Sequence, residues 1–156
     1  MPLARQKVEV EMKNEMRMEF DAVSENEGFA RVAVAAFVTP LDPTLEEVAD
    51  IKTAVSEAVT NAIIHGYDSQ VKKVEITCRI EKRTLYVEVT DRGKGIADVA
   101  KAMEPLFTTR PELDRSGMGF AFMEAFMDDV QVESRPGEGT TVRMKKTVGS
   151  GCRPFA

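Results

Sequence analysis

Three sets of polar and glycine residues interrupt the apolar stretches of this 156-residue chain at spacings that chemistry could use. The first is Glu57, Asn61 and His65, at i, i+4 and i+8, which on a helix fall along one face. A carboxylate one turn from a carboxamide sets a proton acceptor beside an oxygen able to ligate a hard cation such as Mg²⁺. The same row also describes a solvated helix face, with His65 favoured near the C-terminus by the helix dipole. The second set is Asp91-Arg92-Gly93-Lys94-Gly95, directly after an alternating run. It reads either as an ordinary turn or as a place where backbone approaches a flat ligand, with Asp91 accepting from an exocyclic amine. The third is Ser116-Gly117-Met118-Gly119-Phe120. Glycines at a helix start bare backbone N–H groups, and helix N-termini attract phosphate. The spacing is neither that of a dinucleotide fingerprint nor that of a P-loop.

The elements that must position these residues follow from apolar periodicity. Met16, Met18 and Phe20 alternate, which predicts a strand over Glu15 to Phe20. Ser24-Glu25-Asn26-Glu27 has the form of a capping box. A first helix follows, with Phe29, Val32, Ala33, Ala36 and Phe37 as its apolar stripe, stopped by Pro40 and Pro43. Thr44 to Glu47 repeats the box before a second helix, whose stripe is Val48, Ile51, Val55, Val59, Ala62 and Ile63 and whose end is Gly66. Two alternating runs, Val74 to Ile80 and Leu85 to Val89, predict a hairpin. No single period holds from Ala97 to Ser116, which reads as a loop with one short helix. Phe120, Met123, Phe126 and Met127 mark a third helix, and Val130 to Ser134 and Thr140 to Lys146 a last hairpin. Three amphipathic helices and one hairpin-rich sheet give an α/β two-layer sandwich. The sheet is expected to be mixed but mostly antiparallel, covered by helices on one face.

Composition narrows the function classes. Apolar residues make up 43% of the chain and charged residues 30%, as in globular domains. The formal charge of −5 argues against direct nucleic-acid binding. Two cysteines, Cys78 and Cys152, and a single histidine leave no thiolate–imidazole zinc site. No stretch approaches a membrane span, and no export-type segment or disulfide pair is evident, so the cytoplasm is the expected compartment. The expected division is an N-terminal extension over 1–13, one domain over 14–147 and a disordered tail over 148–156.

Taken together and in this order, the three sets resemble the GHKL ATPases, the group that includes gyrase and the histidine kinases. Glu57-Ala58-Val59-Thr60-Asn61-Ala62 resembles their N box, Asp91 to Gly95 their first glycine box, and Gly117-Met118-Gly119 their second. Within that group the stretches Val55 to Tyr67 and Leu106 to Phe120 are similar to anti-sigma factors that are also serine kinases. They are closer to the sporulation members than to those of the general stress response. The resemblance implies a Bergerat-type fold, binding of ATP or ADP with Mg²⁺, and a homodimer. It also implies two protein partners, a sporulation sigma factor and an anti-anti-sigma factor phosphorylated on serine. Asn61 is then the Mg²⁺ ligand and Glu57 the base. Asp91 reads the adenine amine with Thr141 beside it, and Gly93 and Gly95 let the ring approach. Gly117, Met118 and Gly119 meet the phosphates. Thr108, Thr109, Arg115 and Ser116 form the lid, with Arg115 neutralising γ-phosphate charge, and Arg31 contacts partners. A detached histidine-kinase domain is the alternative from another class, but His65 inside the N box is the only histidine. A nucleotide-holding module without turnover is a further alternative, and Glu57 speaks against it.

Overall fold

The two strictest alternations form the centre of the sheet. In the computed structural model, which describes residues 12–66, 72–104 and 119–149, β2 spans Lys73–Glu81 and β3 spans Thr84–Asp91. They pair antiparallel around a two-residue turn in which Lys82 takes a positive φ of 56°. Val74, Ile76, Cys78 and Ile80 on β2 and Leu85, Val87 and Val89 on β3 are buried on one face. β1 (Lys13–Asp21) extends the sheet beside β2, while β5 (Gly139–Thr147) and β4 (Asp129–Arg135) extend it beyond β3. The order is β1-β2-β3-β5-β4. All four described pairings are antiparallel, so the parallel component of a mixed sheet is not found among the described residues.

Helices α1 (Glu25–Val38) and α2 (Leu45–Asn61) cover one face together with the short α3 (Val99–Ala102) and α4 (Gly119–Phe126). The two expected capping boxes differ. At α2 the box is complete: Glu47 N donates to Thr44 Oγ1 at 3.0 Å, and Thr44 N donates to Glu47 Oε1 at 2.8 Å. At α1 it does not form, because Ser24 already has helical angles (φ −61°, ψ −26°) and its side chain makes no cap bond. N-cap residues need extended angles for the hydroxyl to reach back. The Asn26 side chain instead donates to Asp21 O at 2.9 Å.

The buried face of α1 also differs from expectation. Ala30, Val34 and Val38 are the residues fully inside, whereas Phe29 and Val32 are each 56% exposed. An alanine- and valine-rich helix carries two overlapping stripes at spacings of three and four. The smaller set allows close approach to α2, whose inner residues Ile51, Ala54, Val55, Ala58 and Val59 are buried. Phe29 keeps an edge-to-face contact with Phe20, ring centroids 6.3 Å apart.

The fold also reaches past the expected C-terminal boundary. Val148 is fully buried, and Gly149 N donates to Glu47 Oε1 at 3.1 Å. Arg83 Nε donates to Val148 O at 3.0 Å, and the same guanidinium reaches Leu41 O. This arginine ties the β2–β3 turn, the end of α1 and the chain after β5 together. No described helix is long and apolar enough to cross a membrane.

Candidate functional site

Glu57 and Asn61 lie on the last turn and a half of α2, directly before a π-helical turn, Ala62–Gly66. The side chain of His65, the third residue of the expected row, lies outside what the structure describes. π turns recur at functional sites. The first residue of α4 meets this end of α2. A methyl group at Gly119 would lie 3.3 Å from Asn61 Nδ2 and 3.3 Å from Glu57 Oε2. A Cβ at this position would therefore press on both side chains, and each would have to give by a few tenths of an ångström. Asn61 Nδ2 is buried with no hydrogen-bond partner among the described residues. An amide of this kind fits a ligand better than a core, since an unmade buried hydrogen bond costs about 1–3 kcal/mol.

The donor set also fits Mg²⁺. No group of three His, Cys, Asp or Glu among the described residues could cage a metal. Mg²⁺ commonly takes one or two protein oxygens and completes its shell with phosphate oxygens and water. The Asn61 amide oxygen suits that mode.

Asp91 ends β3 on the covered face and is 6% exposed. Burial pushes its carboxyl up from 3.8 to about 6, against the opposing pull of hydrogen bonds from the Gly93 and Thr140 amides. The Gly93 bond measures 2.9 Å, so Gly93 braces the carboxylate. Gly95 has φ 76°, and a Cβ there would lie 2.1 Å from Arg135 O. Its missing side chain makes room for the β4–β5 turn. Gly139, φ 101°, is needed for the same reason, with Asp91 O 2.1 Å from a Cβ.

Thr141 does not join Asp91. It pairs with Thr90 across the sheet, and the two hydroxyls lie 3.1 Å apart on the open face. Successive strand residues point to opposite faces. The residue opposite Asp91 is Thr140, which is 7% exposed and on the covered face. The strand register, one residue off from the expectation, is the signal that identifies it.

Arg31 is half-exposed and holds Glu27 at 3.1 Å. It shares a groove between α1 and α2 with Leu45, Lys52, Ser56 and Glu57. Arg31 and Glu57 belong to different helices, so only the packing of α1 beside α2 shows that they share a surface. Thr108, Thr109, Arg115, Ser116, Gly117 and Met118 lie outside the described residues.

Comparison with known proteins agrees with this geometry. The family model described as "Histidine kinase-like ATPase domain" matches residues 10–146. The chain is 57% identical over 136 residues to the anti-sigma F factor of Bacillus subtilis, covering 86% of this chain and 93% of that one. It is 59% identical over 135 residues to the anti-sigma F factor of Clostridium acetobutylicum, covering 86% and 94%. A crystal structure of the RsbU and RsbW domains of a Mycobacterium tuberculosis protein shares the fold, with a TM-score of 0.63 at 20% identity, over 86% of this chain and 32% of that one. The chain belongs to the GHKL, histidine kinase-like ATPase domain family, in the branch of the anti-sigma F factors.

Proposed function

We propose that this anti-sigma factor holds a sporulation sigma factor and, with Mg-ATP, phosphorylates a serine on an anti-anti-sigma partner. The observation that carries the proposal is the convergence of the Glu57 and Asn61 side chains on the space a Cβ at Gly119 would fill, with Glu57 also lining the groove that contains Arg31. A partner seated against Arg31 brings its serine toward Glu57. The serine oxygen attacks the γ-phosphorus, its proton passes to the Glu57 carboxylate, and the bond from the γ-phosphorus to the bridging oxygen breaks to release ADP. Phosphoryl transfer is mostly positioning and charge neutralisation. Asn61 would hold Mg²⁺, which would supply part of that neutralisation, and Arg115, with Thr108, Thr109 and Ser116, is proposed to meet the γ-phosphate charge. The amides of Gly117, Met118 and Gly119 are the groups proposed to receive the phosphates.

The adenine amine is read by Asp91, with Thr140 rather than Thr141 beside it. The protein works as a homodimer in the cytoplasm, and the exposed Phe29 and Val32 give α1 an apolar outer face suited to a protein contact. The test is a titration of labelled sigma factor with ATP or ADP present. Tighter binding with ATP supports the reading, and an absence of sigma binding in both states overturns it.

A further inference from the structure

The covered face of the sheet is apolar row by row. Val89, Val142 and Val132 lie opposite one another across β3, β5 and β4, and Val87, Met144 and Val130 form the next row. The row at the strand ends breaks this pattern with Asp91, Thr140 and Ser134. Ser134 Oγ makes three contacts. It accepts from Ile96 N at 2.7 Å, lies 3.1 Å from Gly139 O and lies 2.8 Å from Thr140 Oγ1. A hydroxyl has one proton. The carbonyl of Gly139 can only accept, so one assignment serves all three contacts: Ser134 donates to Gly139 O and accepts from both Ile96 N and the Thr140 hydroxyl. The Asp91 carboxylate, meanwhile, is held by the amides of Gly93 and Thr140.

From this geometry we infer that Ser134 determines base specificity through Thr140. By taking the Thr140 proton it leaves that hydroxyl only lone pairs to offer beside Asp91. The base pocket then presents acceptors alone, which suits a purine carrying a 6-amino group and repels one carrying a 6-oxo group. The inference rests on the nucleotide-site reading above. Ser134 is a positioning residue, since it acts through Thr140 and not on the nucleotide. Its second task is to hold the loop after Asp91 through Ile96, and Gly137 N to Lys94 O at 2.7 Å braces the same loop.

The test compares affinities for ATP and inosine triphosphate, which differ at the 6-position edge of the base. The parent is expected to prefer ATP. Ser134→Ala frees the Thr140 hydroxyl to turn and donate, and is expected to cut the preference roughly tenfold, the scale of one buried hydrogen bond gained or lost. Ser134→Thr keeps the hydroxyl and is expected to restore the parent ratio. Thr140→Val, a substitution suited to a strand, is expected to reduce the preference by itself and to abolish any further effect of Ser134→Ala. Equal weakening of both nucleotides in Ser134→Ala, or an unchanged ratio in both Ser134→Ala and Thr140→Val, would overturn the inference and leave the nucleotide site standing. A parent chain that binds neither nucleotide would overturn the site reading with it.

Discussion

Gly119→Ala adds one methyl group where α4 meets the end of α2. The added carbon would lie 3.3 Å from both Glu57 Oε2 and Asn61 Nδ2. Comfortable contacts to carbon begin at about 3.5–4.0 Å, so each side chain must withdraw by roughly 0.3 Å. A misplacement of about 1 Å near reacting groups costs ~10²-fold in rate. Scaled in the logarithm, about 0.3 Å corresponds to a fourfold loss if one group's shift matters, and to about sixteenfold if both do. The backbone does not object, because Gly119 lies in a helix, where alanine is favoured over glycine by roughly 0.5–1 kcal/mol. The assay is single-turnover transfer of labelled γ-phosphate to the partner's serine at saturating Mg-ATP, alongside a thermal melt. The expected outcome is a rate 4- to 16-fold below the parent's at an unchanged or higher melting temperature. A variant transferring phosphate at the parent rate would refute the claim that these two side chains form the reacting centre.

Glu57→Ala is expected to keep nucleotide affinity while slowing transfer by roughly 10²–10⁴-fold, as for loss of a general base, and single-turnover rates beside calorimetry will check it. Asp91 yields a pH prediction. Its carboxyl is raised by burial to about 6 in the fold, so its contribution to stability is fully present below the ordinary 3.8 and is lost as pH rises through 6. Asp91→Asn removes this dependence, so urea melts should show the parent losing up to about 3 kcal/mol relative to the variant between pH 4 and 7. Parallel curves would show that Asp91 is not held against its charge. At neutral pH the same variant should bind ATP much more weakly while GTP binding changes little, measured by calorimetry. Arg31→Glu is expected to weaken sigma-factor binding in a pull-down while ATP affinity stays within about 1 kcal/mol of the parent's, because a rim charge steers the partner and not the nucleotide.

The β2–β3 hairpin was legible because seven apolar residues alternate without exception on either side of a short polar break, and nothing in the tertiary structure competes with that pattern. The complete capping box at Thr44 was legible for the same local reason. Ser24 carries the same motif, yet its backbone angle is set by the entry from β1, which four residues of sequence do not encode. On α1 the spacing of apolar residues allowed two faces, and the choice depended on which could approach α2 closely. Thr140 and Thr141 are identical in type and adjacent, so only strand register separates them. The contacts of Ser134 with Ile96 and of Gly139 with Asp91 were not legible, because these partners lie far away in sequence and come into reach only when β4 and β5 are placed beside β3. The N box was readable as a row of residues, but its contact with Gly119 needed α4 in position.

The proposed reaction is transfer of phosphate from ATP to a protein serine, using a base on α2. The most direct measurement is incubation with ATP labelled at the γ-phosphate, Mg²⁺ and an anti-anti-sigma partner, followed by mass spectrometry of the partner. One labelled serine is expected with the parent chain, and labelling slowed by at least about 10²-fold with Glu57→Ala despite retained nucleotide binding. Label absent from the partner with the parent chain, or equally fast labelling by Glu57→Ala, would contradict it.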